Sequence, residues 1–308
     1  MQSIQLAKEF SNEKIQQLKA RLADAAVEYP NAAVVVVGSL ARREASAESD
    51  VDYFIVVDGG VGCEKIKNKL KAAIAAVGLK EPSVGGAFAE VIPKNEFLES
   101  IGGREETNDD LTRRMLFLLE STPVMGFNVY EQLFSAVVNA YISEHITHHQ
   151  LARFFLNDLI RYYRTLCVDF EYKTSDSKKS WGDRNLKLLF ARKLLYFSGV
   201  LVAAQTAQST PRFKRSELIR LLQMTPVERV QEVCGSNASS ALVMYDKFLG
   251  WMSNPETRAL LKSTTHVRPQ SEDFRDMKSV AHHFSWHLHS LLIATYPPSH
   301  PIHQALIL

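Results

Sequence analysis

The chain has 308 residues, of which 46% are hydrophobic and 23% charged, and a formal net charge of +2. That length holds one large domain or two ordinary ones, and the composition excludes a disordered or low-complexity polymer. A balance so close to neutral excludes a whole-molecule field as the reason for binding nucleic acid or membrane, so any such role must rest on a local patch.

Three cysteines, Cys63, Cys167 and Cys234, lie far apart. They fit reduced thiols in a cytoplasm, not a disulfide framework or a paired-cysteine metal site. The opening residues MQSIQLAKEFSNEK contain no apolar signal core, and apolar runs such as Ala32–Val37 are far below membrane-spanning length. The expectation is a cytoplasmic protein with no membrane partner.

Over residues 13–29 the apolar positions Ile15, Leu18, Leu22, Ala25 and Ala26 recur at helical spacing, with Ser11 read as the cap and Pro30-Asn31 as the stop. The run Ala32–Val37 predicts a buried strand, because valines dominate it and it ends at Gly38. A polar stretch over 41–49 leads to a second predicted strand, 51–57, closed by Asp58-Gly59-Gly60. Ile66, Leu70, Ile74 and Val77 restore helical spacing over 63–77, with Gly78 as terminator. A third strand is predicted over 84–92, ending at Pro93. Beyond Asp109 the character changes, and segments 111–120, 129–142, 151–172, 184–207, 216–223, 242–252 and 279–295 all suit helices. The fold class is therefore α+β, with an α/β domain over 1–110 and an α-helical domain over 111–308.

The chemistry is concentrated where the first strand meets the second. The first delivers the chain to Gly38-Ser39, and the second opens with Asp50-Val51-Asp52. Period-two geometry points both carboxylates to one face. Two such carboxylates repel each other unless a divalent cation neutralises them, and Mg²⁺ favours a few hard carboxylates with phosphate oxygens completing its shell. Glycine permits close backbone approach, while exposed amides and the Ser39 hydroxyl suit a triphosphate. Glu90, flanked by apolar residues in the third predicted strand, is the candidate third carboxylate, able to activate an attacking hydroxyl. A P-loop is excluded because no Gly-Lys-Ser/Thr closes the turn. A haloacid-dehalogenase reading fails because Ala47-Glu48-Ser49, not an apolar strand, precedes Asp50.

This set resembles the polymerase-β-type nucleotidyltransferase superfamily, whose signature is Gly-Ser, a spacer (here Leu40 to Ser49) and then Asp-x-Asp. Arg42, Glu44 and Ser49-Asp50-Val51-Asp52 are most similar to its PII-uridylyltransferase-like branch. The segments from Leu111 to Pro123 and from Lys179 to Lys187 resemble later elements of that branch, so the likeness spans roughly residues 30–200. It implies a mixed sheet with flanking helices, followed by a helical domain. It also implies transfer of a nucleoside monophosphate from a nucleoside triphosphate to an acceptor hydroxyl, with loss of pyrophosphate. The cofactor would be Mg²⁺, with Mn²⁺ as the alternative. Asp50, Asp52 and Glu90 would be catalytic and metal-binding, and Gly38, Ser39 and Arg42 would seat the nucleotide. The acceptor is left open among protein, RNA and small molecule. The alternatives are a non-catalytic nucleotide-binding sensor and a toxin-like interaction protein. PII itself is not carried over as substrate, because the chain is too short for the further domains of the bifunctional enzymes.

Farther on, Lys173, Lys178, Lys179, Arg184, Lys187, Arg192 and Lys193 are interleaved with Tyr172, Trp181 and Phe190. Arg184 and Lys187 share a helix face and are the distal phosphate candidates. The competing reading of this stretch is a solvated helix face with core aromatics. His283 and His287 have i,i+4 spacing, but no glutamate follows His283 as a zinc protease requires.

Overall fold

Four successive valines stiffen the backbone toward the extended form, because β-branching restricts χ1. In the computed structural model, which describes residues 1–59, 62–82, 90–99, 101–175, 180–267 and 270–307, that run is the central strand of the sheet. The strands are β1 (Ala32–Val37), β2 (Asp52–Val57), β3 (Glu90–Pro93) and β4 (Ser121–Met125), in the order β3-β2-β1-β4. β1 is antiparallel to both β2 and β4, whereas β3 runs parallel to β2, so the sheet is mixed. The register Val35↔Phe54 and Val37↔Asp52 places these four residues on one face. Val34, Val36, Tyr53, Ile55 and Val57 occupy the other and join a core cluster with Ile15, Leu18, Ile66, Leu70 and Ile74. Those last five come from α1 (Gln2–Arg21) and, after α2 (Ala23–Glu28) and the single turn α3 (Gly38–Ala41), from α4 (Cys63–Ala76).

The first helix starts well before the expected cap. Ser11 is buried inside α1, and its hydroxyl accepts the Ala45 N–H at 3.1 Å, so it serves a tertiary contact. The strand β4 was not expected, because Pro123 reads as a breaker. It is tolerated there because β4 is an edge strand and its register shifts beside that proline. The second strand begins at Asp52, and Asp50 forms an isolated parallel bridge with Lys80. Of the third predicted strand, residues 84–89 lie outside the described residues.

After β3 come α5 (Asn108–Leu119), α6 (Phe127–Tyr141), α7 (Arg153–Tyr172), α8 (Trp181–Lys187) and α9 (Lys193–Gln205). A π-helical turn over Leu188–Arg192 joins α8 to α9, where one continuous helix was expected. The chain ends with α10 (Pro211–Leu222), α11 (Pro226–Cys234), α12 (Ser239–Ser253), α13 (Pro255–Ser263), α14 (Glu272–Thr295) and α15 (Pro301–Ala305). The expected helices do not include α11, α13 and α15; each begins on proline, which suits the first turn of a helix. Among the described residues no helix is long and apolar enough to cross a membrane.

Two compact units result. One comprises Gln5–Ile146 with Pro211–Thr225 and holds the whole sheet; the other comprises Met1–Ile4, Thr147–Thr210 and Pro226–Leu308 and is helical. The sheet-bearing unit runs past residue 110 because β4 completes the sheet edge beside β1. In the helical unit Phe190 stacks on Phe248 and Phe284, with ring centroids 4.9 and 5.1 Å apart.

Gly126, which precedes α6, has φ +70°, and a Cβ there would lie 1.9 Å from the Ala32 carbonyl oxygen of β1. Gly78 has a similar φ of +71° with nothing within 4 Å of an added Cβ. Gly126→Ala is therefore expected to cost about 3 kcal/mol, against about 1 kcal/mol for Gly78→Ala. Denaturant midpoints at unchanged slope would check this difference.

Candidate active site

β1 leaves the sheet through Gly38, whose φ of +70° turns the chain directly into α3. Because Val37 is the register partner of Asp52, that turn lies beside the first residue of β2. A Cβ on Gly38 would sit 3.0 Å from Asp52 Oδ2, so the carboxylate rests against the bare α-carbon. The turn is closed by two backbone hydrogen bonds: Arg42 N–H donates to the Gly38 carbonyl at 3.0 Å, and Glu44 N–H to that of Ser39 at 2.8 Å. Val51 is buried in the opposite core, which leaves Asp50 on the same side as Asp52, both half-buried. Ser39 is half-buried too.

Arg42 is committed to the interior. Its Nε donates to Glu44 at 2.6 Å and its Nη1 to Glu120, and the side chains of the three are 8%, 3% and 0% exposed. One guanidinium between two buried carboxylates satisfies its own donors and fixes the end of the turn. Glu120 is a residue the sequence reading did not single out; its only signal was an acid directly following the apolar run Leu116–Leu119. Arg43 is held in left-handed backbone at φ +62° by several hydrogen bonds. These run to the Ala41 carbonyl at 2.7 Å, Asn12 Oδ1 at 2.8 Å and Thr122 Oγ1 at 3.1 Å. Such bonds offset the strain of a non-glycine residue at positive φ.

Glu90 pairs with Phe54 in parallel register, so it shares the sheet face of Asp52 on the neighbouring strand. Its carboxylate, however, accepts Nη2 of Arg113 at 2.6 Å. Among the described residues no three His, Cys, Asp or Glu side chains converge on one point. The structure thus seats Asp52 against Gly38, with Ser39 next along the turn and Asp50 two residues before Asp52, and leaves Glu90 on the face of Asp52 but turned to a cation. Asp50 and Asp52 provide only hard oxygen donors, which suits Mg²⁺ or Mn²⁺ with phosphate oxygens and water filling the remaining positions.

Arg184 and Lys187 belong to the helical unit, and the other candidates to the sheet-bearing one. Arg184 donates to the carbonyls of Lys173 at 2.9 Å and Phe170 at 3.0 Å, and lies over the Phe170 ring; it terminates α7. Lys187 pairs with Asp183 at 2.8 Å. Gly182, directly before Asp183, allows close packing, since a Cβ there would meet the Leu261 carbonyl oxygen at 2.6 Å. Lys178 and Lys179 lie outside the described residues.

A Gly-Ser turn pressed against Asp-x-Asp, at the head of a strand flanked by one antiparallel and one parallel neighbour, defines a nucleotidyltransferase-type α+β domain. Residues 15–100 match the family model described as a nucleotidyltransferase domain. That match identifies a nucleotidyltransferase domain within the sheet-bearing part of the chain; it supports the polymerase-β-type superfamily and indicates a nucleotidyltransferase. No curated protein matches the chain as a relative.

Breaking a buried ion pair by removing one partner costs about 3–5 kcal/mol, because the other charge stays buried and uncompensated. Arg42→Gln, which leaves Glu44 and Glu120 buried without their shared cation, is therefore expected to lower stability by about that amount, while Lys187→Gln, which removes a pair with an exposed lysine, costs less than about 1 kcal/mol. Urea unfolding of the two variants, followed by circular dichroism, would check the contrast.

Proposed function

We propose that this domain transfers a nucleoside monophosphate from a nucleoside triphosphate to an acceptor hydroxyl, with Asp50 and Asp52 holding Mg²⁺, or Mn²⁺ in its place. The observation that carries the reading is the Asp52 carboxylate seated against the Gly38 turn, with Asp50 on the same side. Binding of the cation would neutralise phosphate charge and polarise the phosphorus centre. The bare α-carbon of Gly38 lets phosphates approach the backbone, and the Ser39 hydroxyl donates a hydrogen bond to them. The acceptor oxygen forms a bond to the α-phosphorus while the bond to the departing pyrophosphate breaks. Glu90, once free of Arg113, would join Asp50 and Asp52 on the cation and take the acceptor proton. Arg42 acts from behind, stiffening the turn through Glu44 and Glu120. In this reading Arg184 and Lys187 are structural cations of the helical unit.

A second reading, a nucleotide sensor without turnover, draws on one observation: Glu90 is engaged by Arg113, and among the described residues no third acid joins the pair. The two differ in pyrophosphate release. The assay presents each of the four ribonucleoside triphosphates with Mg²⁺ or Mn²⁺, in cell extract supplying acceptors. Release that falls by about 100-fold or more in both Asp50→Asn and Asp52→Asn is the expected outcome. Triphosphate binding with no release above the variants would sink transfer and leave the sensor.

A further inference from the structure

Arg42, Arg114 and Arg113 of the sheet-bearing unit all bind carboxylates, and they differ in how firmly. Arg42 is locked between Glu44 and Glu120, all buried. Arg114 is locked by Glu106 and by the Tyr141 hydroxyl at 2.6 Å, with both ionic side chains essentially inaccessible. Arg113 is different. Its Nη2 holds Glu90 at 2.6 Å, while its Nη1 lies 3.8 Å from both Glu96 and Asp110. Those two distances are too long for hydrogen bonds but short enough that a small rotation would complete them. Its Nε is buried and has no hydrogen-bond partner among the described residues. One guanidinium therefore faces three carboxylates and is fully bonded to one.

The geometry points to Arg113 as a latch: a positioning residue that holds Glu90 away from the Asp50–Asp52 pair until a divalent cation arrives, and is then received by Glu96 and Asp110. This rests on the reading of Glu90 as the third metal ligand. Three features support it. First, Glu90 is the register partner of Phe54, so it is a diagonal neighbour of Asp52 on one face. Such neighbours lie about 7–8 Å apart, within the swing of a long acidic side chain. Second, the Glu90 side chain is 42% exposed, and an ion pair so wet is weak enough to exchange. Third, releasing Glu90 does not strand the arginine, because two acids already stand beside it. The placement of Arg113 is itself fixed. α5 begins with a capping box in which Thr107 accepts the Asp110 N–H and Asp110 accepts that of Thr107, and this sets the helix on which Arg113 lies one turn later.

The experiment is a titration with Mn²⁺ alone, read from the loss of the free-ion paramagnetic resonance signal, so that turnover plays no part. Removing the latch by Arg113→Gln is expected to tighten Mn²⁺ binding by about two- to five-fold, the range an exposed ion pair supports. Arg113→Lys should stay near wild type, because the cation is retained. Glu96→Gln, which removes a waiting partner and leaves the latch itself intact, should weaken binding. In the double variant Glu90→Gln/Arg113→Gln the tightening should vanish, which a merely structural role for Arg113 would not produce. If Glu90→Gln weakens Mn²⁺ binding but Arg113→Gln does not strengthen it, the latch is overturned and Glu90 stands as a ligand. If Glu90→Gln leaves binding unchanged while Asp50→Asn and Asp52→Asn reduce it, Glu90 is no ligand and both fall.

Discussion

The pairing of Val37 with Asp52 is the constraint from which the rest of the site follows. Because β1 and β2 are antiparallel, the last residue of one is the neighbour of the first residue of the other. The turn leaving β1 and the acids entering β2 therefore meet at one end of the sheet, although the ten residues 40–49 separate the motifs along the chain. A slip of one residue would invert every side chain of β2. Tyr53, Ile55 and Val57 would leave the core cluster, and Asp52 would enter it. The same apolar burial that stabilises the sheet thus fixes which face carries the carboxylates. Gly38 completes the arrangement, since its positive φ and missing side chain leave room for Asp52.

Charge burial divides the neighbouring residues by task. Around the turn, Arg42 with Glu44 and Glu120 is desolvated, and a desolvated pair resists exchange because each partner would be left uncompensated. That makes it a strut. Asp50 and Asp52 keep access to water, as they must if a hydrated cation and a polyphosphate are to reach them. Arg113 sits between these extremes, with its side chain 20% exposed and carboxylates in excess. Burial thus separates residues that hold the scaffold from residues able to change partners, although all are drawn from the same few amino acids.

Local patterns made part of this legible. The valine run, the glycine stop and the paired aspartates each state a local physical preference, and together they marked β1, the turn and the head of β2. What they could not state was partnership. Arg42 looked equally suited to phosphate or to an ion pair, and the deciding residue, Glu120, is distant in sequence and approaches only because β4 pairs with β1. Glu90 was readable as an acid among apolar neighbours, but the arginine that engages it comes from α5. β4 was hidden by Pro123, and three helices were hidden by the prolines that begin them. In each case a residue that usually interrupts structure was serving at an edge or a first turn, where its missing N–H costs nothing.

The helical unit shows why a count of cations misleads. Lys173 lies 2.5 Å from Asp169, Lys187 2.8 Å from Asp183 and Arg161 2.8 Å from Asp158, each an acid three or four residues earlier in the chain. Arg184 is spent on the last carbonyls of α7. Polyanion binding draws its strength from neutralising phosphates with cations that release counterions, and a cation already beside a carboxylate contributes less of that gain. Tyr172 and its neighbours therefore read better as parts of a charge-balanced helix surface than as a track for a nucleic-acid strand. If the acceptor is RNA, its recognition has to come from a few directed contacts to an end or a loop.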